Sequence, residues 1–253
     1  MIRTSLSIIL PVFNEPKLIQ PSVREICNFM NQHFETYELL IIESGSTDNT
    51  GALCDQLANE FPQINVIHEG KRSGFGCALR LGYQNARFDY CWLLTADMPF
   101  PLEAILTAVP FLEKYDYIIS YRSEDKRVLI RRIQSWVYNI LIRAVLGLNV
   151  KCVNSAFKVL PTSAMAEMPL ISNFWFFDAE ILYRLSRAGF IYIQIPVPLI
   201  DRSEGNSSVE STAFIKVLRE MIAFLRIKST IPDLRKSIAH ETQRQVKKNE
   251  EGE

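Results

Sequence analysis

Apolar residues in this chain come in short unbroken runs that alternate with stretches of three-to-four spacing. Leu6-Ser7-Ile8-Ile9-Leu10-Pro11-Val12 reads as a buried strand, and residues 21–34 put Val23, Ile26, Phe29 and Met30 on one helical face. Pro21 suits the first turn of that helix. A second strand, Tyr37-Glu38-Leu39-Leu40-Ile41-Ile42, runs into the turn Glu43-Ser44-Gly45-Ser46-Thr47-Asp48-Asn49-Thr50. A helix over about 51–61 follows, with Thr47 or Asp48 available as its N-cap. Ile64-Asn65-Val66-Ile67-His68 is a third strand; the glycine-rich basic turn 69–76 then leads into a helix over 77–86, ahead of the apolar run Tyr90-Cys91-Trp92-Leu93-Leu94. Helices over 101–113, interrupted by Pro110, and 131–148 flank a strand at Tyr117 to Ser120. A helix over 179–188 closed by Gly189 precedes a late strand, Ile191-Tyr192-Ile193-Gln194-Ile195, and residues 209–226 align Phe214, Val217, Leu218, Met221, Ile222 and Leu225 on one face. This alternation predicts an α/β fold, a mostly parallel sheet flanked by helices, with its ligand site at the C-terminal ends of the strands.

The chain has 253 residues, 48% hydrophobic and 22% charged, which suits one domain over residues 1–232 and a polar, flexible tail over 233–253. Lys and Arg number 28 and so do Asp and Glu, so no global field recruits nucleic acid and any anion site must be local. The five cysteines are scattered with no Cys-x-x-Cys pair, as in a reduced cytoplasmic protein. The N-terminal run lacks the longer apolar core of a signal peptide. No window reaches the ~18–20 apolar residues that span a bilayer, since 133–148 is broken by Gln134, Asn139 and Arg143. The expected location is the cytoplasm. The faces at 131–148 and 209–226 then serve either as core or homodimer contacts or as a peripheral contact with a membrane.

The chemistry concentrates where the fourth apolar run ends, at Thr95-Ala96-Asp97-Met98-Pro99. A buried strand that delivers acidic side chains at its C-terminal end is how α/β enzymes hold a divalent cation against a diphosphate, because oxygen ligands must converge on a hard cation. Here the stretch offers one carboxylate, Asp97. His33, His68 and His240 do not cluster in sequence and indicate no catalytic histidine.

In order and spacing, Pro11-Val12-Phe13-Asn14-Glu15, the turn Glu43 to Asp48, the segment Lys71 to Leu81 and Thr95 to Pro99 resemble the family 2 glycosyltransferases of the GT-A fold. The branch containing dolichyl-phosphate mannose synthases and bacterial polyprenyl-phosphate sugar synthases is the most similar, over about residues 5–208. The resemblance implies inverting transfer of a sugar from a nucleotide-sugar donor, UDP- or GDP-linked, to an acceptor that in this branch is a polyprenyl phosphate. It places donor binding at Pro11, Phe13, Glu15, Glu43, Lys71 and Asp97, with Asp97 as ligand to Mg²⁺ or Mn²⁺. It places acceptor binding at Arg122, Arg131, Ser135 and Arg202, and catalysis at Asp97, Asp178 and Arg202.

The departures from the family pattern fall on charged positions. Thr95 and Pro99 replace the outer ligands of Asp-Ala-Asp-Leu-Gln, and Ser44 replaces the second acid of the nucleotide turn. Cys152 and Ala156 stand for Asp and Gly in Asp-x-x-Ser-Gly-Phe, and Ser208 stands for Lys in the Arg-x-x-Gly-x-Ser-Lys segment that Arg202, Gly205 and Ser207 match. The metal's share of leaving-group stabilisation is weakened, and Lys71, Arg72, Arg122, Arg131, Arg132 and Arg202 are the cations able to replace it. Asp178 and Glu180 lie near the family's acceptor-side acid; Asp178 is either a general base toward a hydroxyl acceptor or a helix N-cap. Two other readings stay open: a nucleotide-sugar-binding scaffold or regulatory subunit, and an enzyme that works without a metal.

Overall fold

The computed structural model describes residues 1–123, 129–174, 176–200 and 213–228. Its elements follow the alternation of the sequence: β1 (Leu6–Val12), α1 (Ile19–His33), β2 (Tyr37–Glu43), α2 (Thr50–Glu60), β3 (Ile64–His68), α3 (Phe75–Asn85), β4 (Tyr90–Leu93), α4 (Ala104–Ala108) and β5 (Tyr117–Arg122). Then come α5 (Leu129–Leu146), β6 (Lys158–Pro161), α6 (Thr162–Ala166), α7 (Phe177–Arg187), β7 (Tyr192–Val197) and α8 (Ala213–Ile227). The strands form one sheet of order β3-β2-β1-β4-β6-β5-β7. Among the described residues, only β6 runs antiparallel to its neighbours. The expected tail over 233–253 lies outside the described residues.

Side-chain alternation along the strands builds two cores on opposite faces of the sheet. Leu6, Ile8, Leu10 and Val12 of β1 point into one layer, shared with Ile19, Val23 and Ile26 of α1 and with Cys54 and Leu57 of α2. Ile9 points the other way, into a layer with Leu79 and Tyr83 of α3, Ile142 of α5, Ile181 and Leu185 of α7, and Phe224 of α8. Cys27, Cys54 and Cys91 are buried as small hydrophobes.

Three differences from the sequence pattern have physical reasons. The stretch 101–113 is not one helix, because Pro110 sits at the start of a separate 3-10 helix, Val109–Glu113, that follows α4. β6 is four residues long, begins with a lysine and ends with a proline, so it carries no periodic signal. The third concerns the two amphipathic helices. In α8, Val217, Met221 and Phe224 are buried, and Phe224 packs on Phe176 and Tyr183 at ring-centroid distances of 5.4 and 5.3 Å, so this side is core, while Leu218 and Ile222 of the expected face are exposed. In α5 only Ile142 and Leu146 are buried among the large apolar residues. Leu129, Ile130, Ile133, Trp136, Val137 and Ile140 are exposed.

The chain leaves β1 toward β2 on one side and reaches β4 on the other side by way of β3 and α3. The order of the sheet therefore reverses between β1 and β4, and a crevice opens beyond the carboxyl ends of these two strands. The loops after β1 and β4 carry Phe13 to Glu15 and Thr95 to Pro99.

Candidate active site

Near the end of β1, Pro11 pairs with Ile42 and Val12 with Glu43 of β2, and the next residues are tied across to the turn that follows β2. Asn14, at φ 54°, donates its backbone N–H to Ser46 Oγ (3.0 Å) and accepts from the Thr47 N–H at Oδ1 (2.9 Å). The Glu15 N–H donates to Thr50 Oγ1 at 3.0 Å. Asp48 accepts from the Thr50 N–H (2.9 Å) and hydroxyl (2.6 Å), and Thr47 bonds to the β1 loop, but the N-cap of α2 is Asn49 with no side-chain cap bond, so neither expected residue holds the cap position. These bonds fix both loops as one rim at the strand ends.

Glu43 anchors that rim from below. It is 4% exposed; its Oε1 accepts from the Ser46 N–H at 2.5 Å and its Oε2 meets His68 Nδ1 at 3.0 Å. His68 Nε2 in turn meets Asp55 Oδ1 at 2.9 Å. Burial pushes the Glu43 carboxyl up, but donation from Ser46, His68 and the Gly45 N–H outweighs it and holds the group below its usual value. Glu43, and after it Asp55, raises the His68 imidazole above its ordinary value. Both shifts favour an ionised pair. His68 has no histidine near it in sequence, yet the parallel register sets it directly beside Glu43.

The basic turn 69–76 closes the rim. Gly45 has φ 68°, and a Cβ built there would lie 2.8 Å from Lys71 Cα, so the backbone of Lys71 rests on the nucleotide turn. The Arg72 guanidinium lies 4.2 Å over the Phe13 ring, a cation–π contact that holds it above the β1 loop. Lys71 and Arg72 are both exposed.

At the end of β4 the Thr95 hydroxyl donates to Asp97 Oδ1. Met98, at φ 41°, closes the turn with its N–H on the Thr95 carbonyl at 2.8 Å, and Pro99 brings no side-chain ligand. Among the described residues no group of three or more His, Cys, Asp or Glu side chains is placed to hold a metal ion. One carboxylate already bonded to a neutral hydroxyl does not fit a divalent cation held by protein ligands, which needs several converging oxygens.

The acceptor-side residues divide. Arg122, at the end of β5, and Ser135, on α5, line one cavity of about 460 Å³ together with Tyr121, Arg132, Arg143 and Lys151. Cys152 lines it too, at the position where the family carries an acid. Lys151 and Arg143 are cations that the sequence pattern did not single out. Arg131 lies in α5 with its side chain outside the description, and Arg202 falls outside the described residues.

Asp178 is elsewhere. It occupies the first turn of α7, whose N-cap is Phe176 with no side-chain cap bond, so the capping alternative does not hold. Its Oδ2 instead pairs with Lys158 Nζ at 2.9 Å, and that side chain is 3% exposed. Lys158 also donates to the Ser155 carbonyl, linking the 152–157 segment to α7. Glu180 is wholly buried and accepts from the Ile171 and Ser172 N–H groups and from Arg184, which removes it from any acceptor surface.

A family model, Glycosyl transferase family 2, matches residues 7–168, which span the β1 rim, the basic turn, the β4 turn and β6. The chain belongs to this family. Glycosyltransferase AglD of Haloferax volcanii is 28% identical over 201 residues, covering 76% of this chain and 32% of that protein. An undecaprenyl-phosphate mannosyltransferase of Micrococcus luteus is 22% identical over 219 residues, 79% of this chain and 86% of that protein. Among solved structures, glucosyl-3-phosphoglycerate synthase from Mycobacterium tuberculosis, in complex with Mn²⁺, uridine diphosphate and phosphoglyceric acid, superposes with a TM-score of 0.62 at 22% identity. That match covers 91% of this chain and 80% of the other and shows a shared fold.

Proposed function

We propose that this chain transfers a sugar, with inversion, from a nucleoside-diphosphate donor to a polyprenyl phosphate at a membrane surface. The observation that carries this reading is the pairing of a basic cavity with an exposed apolar stripe on the same helix. α5 contributes Arg132, Ser135 and Arg143 to the cavity and exposes Leu129, Ile130, Ile133, Trp136, Val137 and Ile140, of which Leu129, Ile133 and Trp136 also line the cavity, so stripe and cavity are continuous. It contains no Asp or Glu. No helix among the described residues is long and apolar enough to cross a membrane. An apolar stripe flanked by arginines suits a helix lying in the headgroup region, its apolar side chains in the acyl boundary and its cations on lipid phosphates.

The uridine diphosphate bound by the structural neighbour supports the donor class, and the rim of Glu43, Phe13 and Lys71 is the place we assign to UDP or GDP. The undecaprenyl-phosphate relative supports the acceptor class. In the reaction an acceptor phosphate oxygen attacks the anomeric carbon on the face opposite the diphosphate. The new C–O bond forms as the bond to the diphosphate breaks, and the diphosphate leaves with the electron pair. An ionised phosphate is already a nucleophile and gives up no proton, so this acceptor asks no general base of Asp178. Asp178 is left its ion pair with Lys158, which ties the 152–157 segment to α7.

The stripe makes the reading testable. Wild type is expected to sediment with vesicles containing phosphatidylglycerol, and Ile133→Glu with Trp136→Glu to lower the bound fraction about tenfold, since both side chains would be withdrawn from the acyl boundary. Both positions are exposed, so the melting curve should not move. A wild type that stays in the supernatant, or a double variant that sediments as well as wild type, contradicts the membrane contact. A stripe that instead pairs two copies would show as a doubled mass in lipid-free solution.

A further inference from the structure

We infer that this chain neutralises the departing diphosphate with Lys71 and Arg72 in place of a divalent cation held by the protein. The inference rests on the donor-site reading above and concerns how that site carries charge.

Two independent parts of the site point the same way. At the β4 turn, the side chains that would converge on a cation are turned to each other: Thr95 donates to Asp97, and Pro99 offers only a carbonyl, which accepts from the Ile200 N–H at 2.8 Å. On the opposite rim, the turn that carries two adjacent cations is held against the donor loops. The Lys71 backbone packs on Gly45, and Arg72 sits 4.2 Å above Phe13. Among the described residues neither Lys71 nor Arg72 is paired with a carboxylate. Unpaired cations at the mouth of a nucleotide crevice are available to an anionic ligand without breaking an existing ion pair.

The electron balance needs nothing else. When the anomeric C–O bond breaks, the β-phosphate oxygen keeps the electron pair and the diphosphate gains one negative charge. A guanidinium and an ammonium can each donate hydrogen bonds to that oxygen and its neighbours, the guanidinium as a planar fork.

Calorimetry of UDP and GDP on the full chain, in excess EDTA and again in saturating Mn²⁺, tests this. The nucleotide that binds is expected to do so within about twofold under the two conditions, and Lys71→Ala with Arg72→Ala to weaken it about tenfold. Thr95→Asp is expected to add a Mn²⁺-dependent tightening that wild type lacks. A wild type that binds tenfold or more tightly with Mn²⁺, or a double alanine variant with unchanged affinity, overturns the inference and leaves the donor site standing. If neither nucleotide binds under any condition, the donor-site reading falls and this inference with it.

Discussion

Glu180→Ala is expected to destabilise the fold by about 3–5 kcal/mol, the usual cost of removing one partner of a buried ion pair. Glu180 is wholly buried and Arg184 is 4% exposed. Their Oε1 to Nη2 distance is 2.7 Å, and the carboxylate also accepts from the Ile171 and Ser172 N–H groups. Alanine leaves two backbone donors unsatisfied and a guanidinium with only the Pro169 carbonyl and the Phe224 ring. The check is urea unfolding, with a lower midpoint at unchanged slope. Glu180→Met with Arg184→Met should recover much of the loss, because an apolar pair removes the uncompensated charge. A Glu180→Ala protein of wild-type stability would contradict the structural role and return this carboxylate to the catalytic candidates.

Gly45→Ala is expected to weaken nucleotide binding roughly 10- to 30-fold, through left-handed backbone strain on a residue with a Cβ. The added Cβ would also meet Lys71 Cα at 2.8 Å and Lys71 N at 2.9 Å, and neither backbone atom can rotate away. The turn and the basic loop must separate, which moves Lys71 and Arg72 off the rim. Ser46 shifts with them, loosening Glu43. Calorimetry with UDP or GDP measures the effect; unchanged affinity would show that the contact between these loops does not shape the donor site.

Most of the fold was legible because β1, β2 and β3 are short apolar runs separated by helices, and that alternation admits few sheets other than a parallel one. What closed over distance was not legible. Glu43 and His68 stand 25 residues apart and meet because β2 and β3 pair in register. Lys158 and Asp178 are 20 residues apart and meet because the four-residue strand β6 drops a lysine into an apolar layer under α7. The amphipathic faces of α5 and α8 looked alike, since periodicity says which side of a helix is apolar and not what covers it. Phe176 and Tyr183, at the start of α7 and within it, cover Phe224 of α8. The face of α5 is left open beside the cavity of Arg122 and Ser135. At the β4 turn the missing ligands were readable directly from Thr95 and Pro99; the bond between Thr95 and Asp97 was not.

Sugar transfer to a lipid phosphate is the reaction proposed for this chain. Its most direct test supplies the purified chain with undecaprenyl phosphate in anionic vesicles and a panel of UDP- and GDP-sugars labelled in the sugar, and follows the label into the organic phase. The account predicts that one donor yields a lipid-linked sugar of inverted anomeric configuration, and that yield falls for the Ile133→Glu, Trp136→Glu variant. Label that never enters lipid from any donor, while UDP or GDP is still bound, would contradict it.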